Sequence, residues 1–265
     1  MSFMFDGGNV VNPDTSSWDT SLVSNMSSMF KNASNANPNT ANWNTSSVNT
    51  MASMFNGSTN ANPNTSTWNT SNVENMSFMF MGATSSNPDT SSWDTSSVED
   101  MASMFRFANN ANPDTSNWDV SNVVGISNMF GQTSVANPDT SNWNTINVSN
   151  MGNMFANATS ANPNVSNWNT SNVNNMVNMF SGAIIANPDM SLWSFNNASD
   201  LSNILNSSVI TTTNYSNMLI RLEKSNSQSS LSLVSPAKYN AAGGAARLIL
   251  TDVLEWTIVD AGPDF

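Results

Sequence analysis

Carboxylates are the side chains through which this chain could do chemistry, and they recur at a fixed interval. One set is Asp14, Asp89, Asp114, Asp139 and Asp189, and a second is Asp19, Asp94 and Asp119; within each set every separation is a multiple of 25 residues, with Asn in most of the remaining places. Stacked Asp and Asn columns offer the oxygen ligands that Ca²⁺ takes. The Gly-Asp nonapeptide of calcium β-helices is absent, however. Asx residues beside turns more commonly bond their own backbone or stack as amide ladders. A catalytic acid–base pair should be unique in a chain, whereas these carboxylates repeat. There is no His and no Cys. That removes the commonest general base, any nucleophile–His arrangement and any thiolate metal site. Gly243-Gly244 lacks the Lys and the spacing of a phosphate loop. The expectation is a protein that is not an enzyme and needs no cofactor, Ca²⁺ being the one ion the columns could take. The candidate binding residues are Asp14, Asp19, Asp89, Asp94, Asp114, Asp119 and Asp139, read as exposed ladders.

What must position these ladders is a unit of 25 residues repeated eight times without insertion or deletion. Trp recurs at Trp18, Trp43, Trp68, Trp93, Trp118, Trp143, Trp168 and Trp193, and Phe at Phe5, Phe30, Phe55, Phe80, Phe105, Phe130, Phe155 and Phe180. An Asn-Pro step keeps the same interval from Pro13 to Pro188. A fixed period of this length is the signature of a solenoid. The Trp, Val, Met and Phe columns form its expected core. Burying a Trp removes about 150–250 Å² from water, about 4–6 kcal/mol per coil as an upper bound.

The unit from Asn62 to Ser86 illustrates the expected elements. Its opening, with Pro63, predicts a short extended segment over Asn64 to Thr67 that pairs with its copies about 4.8 Å above and below, so that eight coils span roughly 40 Å. Val73, Met76, Met79 and Phe80 then share one face of a two-turn helix. Ser71 is its expected N-cap, with Glu74 completing a capping box, and Ser96 with Glu99 repeats the pair. Gly82, matched by Gly57 and Gly182, is the expected left-handed C-terminal cap.

The net charge of −12 argues against nucleic acid or an anionic membrane as partner. Over residues 1–208 thirteen acidic residues face only Lys31 and Arg106. No segment approaches the roughly 18 apolar residues that span a bilayer, and the N-terminus lacks the basic-then-apolar pattern of a signal peptide. Met1-Ser2-Phe3-Met4-Phe5 aligns with Met76–Phe80, so the chain starts within a unit, as a half-coil or as part of a longer protein. The eighth unit loses register: Ser194 and Phe195 replace the usual pair, and Leu201, Ile204 and Leu205 stand in for Met, Met and Phe. Two domains follow, a solenoid over 1–208 and a C-terminal α/β capping module over 209–265. In the second, Tyr215, Met218, Leu219 and Leu222 mark a helix over 209–224. A polar loop follows from Ser225 to Ser230, a second helix over 237–255, and a strand from Trp256 to Gly262.

The string WDTSxVxxMxxMF, read from Trp18 to Phe30 and from Trp93 to Phe105, resembles a short repeat of bacterial surface proteins known from surface lipoproteins of mycoplasmas and listeriae. The resemblance covers residues 1 to about 205. It implies a leucine-rich-repeat-like solenoid, an α/β repeat with a short strand and a short helix in each coil, placed outside the cell. This chain departs from ordinary leucine-rich repeats in having almost no Leu in the array, and it lacks the lipoprotein signal and Cys of the mycoplasmal relatives. The expected function is recognition or adhesion on a cell or virion surface, with a cell-surface protein or carbohydrate as partner, and no nucleic acid or membrane insertion. Two alternatives are a structural spacer or self-assembling fibre, in which copies of the chain are each other's partners, and an ice-binding protein using the Thr columns that begin at Thr15 and Thr20.

Overall fold

A computed structural model describes residues 1–226 and 228–264. Ser227, within the polar loop expected from Ser225 to Ser230, and Phe265 lie outside the described residues. The chain winds through successive coils that lie on one another, so that each residue meets its counterpart 25 positions on. Isolated parallel bridges join Asn25 to Thr50, Thr50 to Asn75, Asn75 to Asp100 and so on to Asp200.

The coils contain neither of the expected elements. Up to Thr211 the described residues form no helix and no strand longer than these single bridges. Where a helix was expected, the backbone makes consecutive hydrogen-bonded turns. Met79 N–H donates to Met76 O, Met81 N–H to Phe78 O and Ala83 N–H to Phe80 O, at 3.3, 3.2 and 3.0 Å. Phe78 and Gly82 are left-handed, with φ of 58° and 69°. Each is the third residue of its turn, where a type II turn requires positive φ. The alternate N–H groups point along the stack instead. Met76, Phe78, Phe80 and Gly82 donate to the carbonyls of Asp100, Ala102, Met104 and Arg106 at 2.8–2.9 Å.

The correction has a clear physical cause. A run of turns, like a helix, returns to the same face every three to four residues, so Met76, Met79 and Phe80 face inward in both. What differs is where the backbone donors go: four residues back in a helix, one coil onward here. Ser71 therefore caps nothing. Its N–H and hydroxyl bond Asn69 Oδ1 at 3.0 and 2.7 Å, and Glu74 N–H donates to Asn49 O at 2.9 Å. Gly57, Gly82 and Gly182 are left-handed as expected, but as turn residues and not as helix caps.

The strand expected over Asn64 to Thr67 is also replaced. Side chains make the links between coils there. The amide oxygens of Asn12, Asn37 and Asn62 accept the N–H of Asn37, Asn62 and Asn87 at 2.8–3.0 Å, and the ladder continues to Asn187. The buried hydroxyls of Thr15, Thr40 and Thr65 donate to Asn39, Asn64 and Asp89 O, each at 2.6 Å. Pro13 and its copies cannot donate, which suits a segment held by its side chains.

The interior is a set of aligned columns. The indoles from Trp18 to Trp193 stack at 5.9–6.4 Å between centroids, with planes within 2–4°. The phenyl rings from Phe30 to Phe180 stack at 5.5–5.8 Å. Phe30 to Phe180 and Trp43 to Trp193 are buried, as the columnar core requires, and Trp18 on the first coil is half-buried.

Beyond the coils the chain forms α1 (Thr212–Ser225), β1 (Ser232–Val234), α2 (Ala241–Asp252) and β2 (Thr257–Val259). Thr211 and Asn240 cap the helices by accepting the N–H of Asn214 and Gly243. α1 buries Tyr215, Met218, Leu219 and Leu222. Gly243 lets α2 approach α1: a Cβ there would lie 2.8 Å from Ser216 Cβ. β1 and β2 pair in parallel, Leu233 opposite Ile258, so the strand expected over Trp256 to Gly262 is shorter and has a partner that the sequence reading did not anticipate. α1 covers the eighth coil: Arg221 donates twice to Trp193 O at 3.0 and 2.8 Å, and Thr211 N–H takes the next rung of the asparagine ladder on Asn187.

Candidate functional site

Each exposed aspartate sits at a fixed kind of place: Asp14, Asp89, Asp114 and Asp139 between a Pro and a buried Thr, Asp19, Asp94 and Asp119 directly after the buried Trp column. Carbonyls and carboxylates are held separately. The carbonyls of Asp114 and Asp139 accept from Thr90 and Thr115 one coil earlier, at 2.7 and 2.6 Å. Their Oδ1 atoms accept the N–H of Ser116 and Ser141 at 3.1 and 3.0 Å and the serine hydroxyls at 2.7 Å. Asp14, Asp89 and Asp94 have the same two bonds from Ser16, Ser91 and Ser96. Asp19 and Asp119 accept the N–H of Ser21 and Ser121. No described hydrogen bond uses the second oxygen of these seven carboxylates.

Six of these carboxylates share one electrostatic consequence. The Ser hydroxyl two residues on, and then that serine's N–H, hold Asp14, Asp19, Asp89, Asp94, Asp114 and Asp139 below the usual carboxylate range. Around Asp114 the charges of Asp139 and Asp89 oppose this more weakly. Acid–base sites mark themselves by carboxylates pushed in opposite directions; these all move the same way. Among the described residues no group of three or more His, Cys, Asp and Glu is placed to hold a metal ion. The columns therefore form ionised, hydrogen-bond-accepting stripes on the outside of the coils.

The Thr columns do not share that exposure. Thr15, Thr40, Thr65, Thr90, Thr115 and Thr140 are buried, as are Thr20, Thr45, Thr70, Thr95, Thr145 and Thr170. Their hydroxyls bond carbonyls of the next coil. They present no ordered hydroxyl face to solvent, so the ice-binding alternative loses the surface on which it rested.

The described structure also holds a polar groove that the sequence reading did not find. It has a volume of about 220 Å³ and crosses four successive coils, beginning at Arg106 and ending at Asn178 and Ser181. It arises from one change of bulk. In the column Lys31, Asn56, Met81, Arg106, Gly131, Ala156, Ser181, the long side chains stop at Arg106. Gly131 and Ala156 leave the trough, and amides of Asn128, Asn153, Asn157 and Gln132 line it. Asn178 donates to Asn153 Oδ1 at 3.1 Å. In the sequence this shows only as a loss of bulk at one place of the repeat, at Gly131 and Ala156.

No helix of the described residues is long and apolar enough to cross a membrane. The family described as Mycoplasma protein of unknown function, DUF285, matches residues 1–118 and again residues 101–218. No curated protein and no solved structure matches the chain.

Proposed function

We propose that this chain, which belongs to the Mycoplasma protein family of unknown function DUF285, is a recognition module without catalytic activity that engages protein or carbohydrate on a cell or virion surface. The observation that carries this reading is the division of labour in the coil. Large apolar side chains and Thr hydroxyls are consumed inside, while Asp carboxylates, Ser hydroxyls and Asn amides stand outside at a constant interval. A surface of that kind suits partners held by many individually weak hydrogen bonds. The uniform direction of the carboxylate shifts supports binding over acid–base catalysis. Descent from leucine-rich-repeat-like surface proteins, and a place outside the cell, belong to the same proposal and draw support from the WDTSxVxxMxxMF string.

A structural spacer is the second reading, favoured by the coil-to-coil backbone bonding, which varies little along the array. Binding of fluorescently labelled protein to a panel of bacterial and host cell surfaces, with and without Ca²⁺, separates the two. Selective, saturable binding is the expected result. Absence of binding across the panel would leave the spacer.

A further inference from the structure

The amide-lined groove that begins at Arg106 has the chemistry of a ligand site. Among the described residues the Arg106 side chain makes no hydrogen bond and no ion pair, and its Nε is buried without a partner. Arg is a poor residue to leave in that condition, because a buried donor without an acceptor costs the desolvation of the group. The guanidinium is nevertheless held in position, 4.8 Å above the ring of Phe107. Phe107 is itself left-handed, with φ of 61°. Asn32, Gly57, Gly82, Gln132, Asn157, Gly182 and Ser207 are left-handed at the same place of their coils, so this conformation belongs to the repeat and fixes where the Phe107 ring stands. In the same groove the side chains of Asn128, Gln132 and Asn157 make no hydrogen bond to any described residue, and all three residues line the trough. One fixed cation and three free amides, spread over three successive coils, match a molecule with one anionic group and a row of hydroxyls.

From this we infer that the groove binds an acidic saccharide. Its carboxylate or sulfate lies on the Arg106 guanidinium, and its hydroxyls pair with the amides of Asn128, Gln132, Asn153 and Asn157. Arg forks suit planar carboxylates in particular. The trough is smaller than the about 300–1,000 Å³ of clefts that enclose whole drug-sized ligands, so it holds a short stretch of a chain lying along the stack. This assignment rests on the recognition reading above and narrows it to one ligand class at one place.

Calorimetric titration of the full chain with trigalacturonate, its neutral methyl ester, a sulfated trisaccharide and inorganic sulfate tests it. Binding of an acidic trisaccharide at least about 10-fold tighter than the methyl ester is expected. A preference between carboxylate and sulfate identifies the anion. Arg106→Met should weaken binding by about 10–100-fold, and Ala156→Leu, which fills the trough, should abolish it. Circular dichroism and melting of both variants establish that the coils remain folded. Equal affinity for the ester, equal affinity of Arg106→Met, or inorganic sulfate binding as tightly as the saccharides would overturn the assignment. If the wild-type chain binds cells while Arg106→Met binds them equally, the groove is wrong and the recognition reading stands. If the wild-type chain binds neither cells nor saccharides, both fall.

Discussion

A serine two residues on holds Asp14, Asp19, Asp89, Asp94, Asp114 and Asp139 of the outer surface below the usual carboxylate range. Because bonds from Ser91 lower the Asp89 carboxyl, Ser91→Ala should raise it toward 3.8, the value of an unperturbed Asp, as read by a carbon-detected NMR titration. The sign for stability follows: groups whose folded value lies below the unfolded one stabilise fully above about pH 4, and lose that contribution as pH falls through the lowered values. An acid-induced loosening that sets in below pH 4 is expected; one that sets in on raising the pH would contradict it. Inside, Trp118→Ala should cost about 3–5 kcal/mol in urea melts. Its indole N–H is already unpaired, so that loss is one of packing, and an unchanged melt would remove the Trp column from the core. At this scale much was legible. The Asp-Thr-Ser spacing announces a side chain that bonds its own backbone, and the Trp and Phe intervals announce the core. Arg106 was visible only as one of two basic residues in the array, because its meaning depends on Gly131 and Ala156, which are remote in sequence and adjacent in the stack.

The elements were harder to read, for a physical reason. Inward-facing residues at spacings of three and four fit a helix and a chain of turns equally, and nothing in Met76-Ser77-Phe78-Met79-Phe80 tells where its N–H groups go. The discriminating position is the left-handed one. Ser53 has φ of 58°, so Ser53→Gly should leave stability unchanged or raise it by up to about 1 kcal/mol, and Ser53→Val should lower it by about 1–2 kcal/mol. In a helix interior Ser→Gly would instead cost about 0.5 kcal/mol. Thermal melts of the two variants decide the order. The C-terminal helices were more legible, because their own propensity, caps and spacing act locally: Tyr215, Met218, Leu219 and Leu222 are buried on α1 as their pattern requires. β1 was not, since Ser232–Val234 is too short to show alternation and owes its pairing to Thr257–Val259.

At the scale of the whole molecule, the coils share one continuous core that runs into the C-terminal elements as far as Ile258. Order propagates between neighbours through the 25-residue contacts, as in other quasi-one-dimensional arrays. α1 takes up the donors and acceptors that the eighth coil leaves open, with Arg221 on Trp193 and Thr211 on Asn187. A rigid stack with polar columns outside is the basis of both the recognition reading and the groove at Arg106. The measurement that tests it most directly is the far-ultraviolet circular dichroism of the full chain. Helix confined to α1 and α2, 14 and 12 residues, predicts a helical content of about a tenth of the chain. A content about three times that, the signal of a two-turn helix in every coil, would contradict the turn-built stack and the surface derived from it.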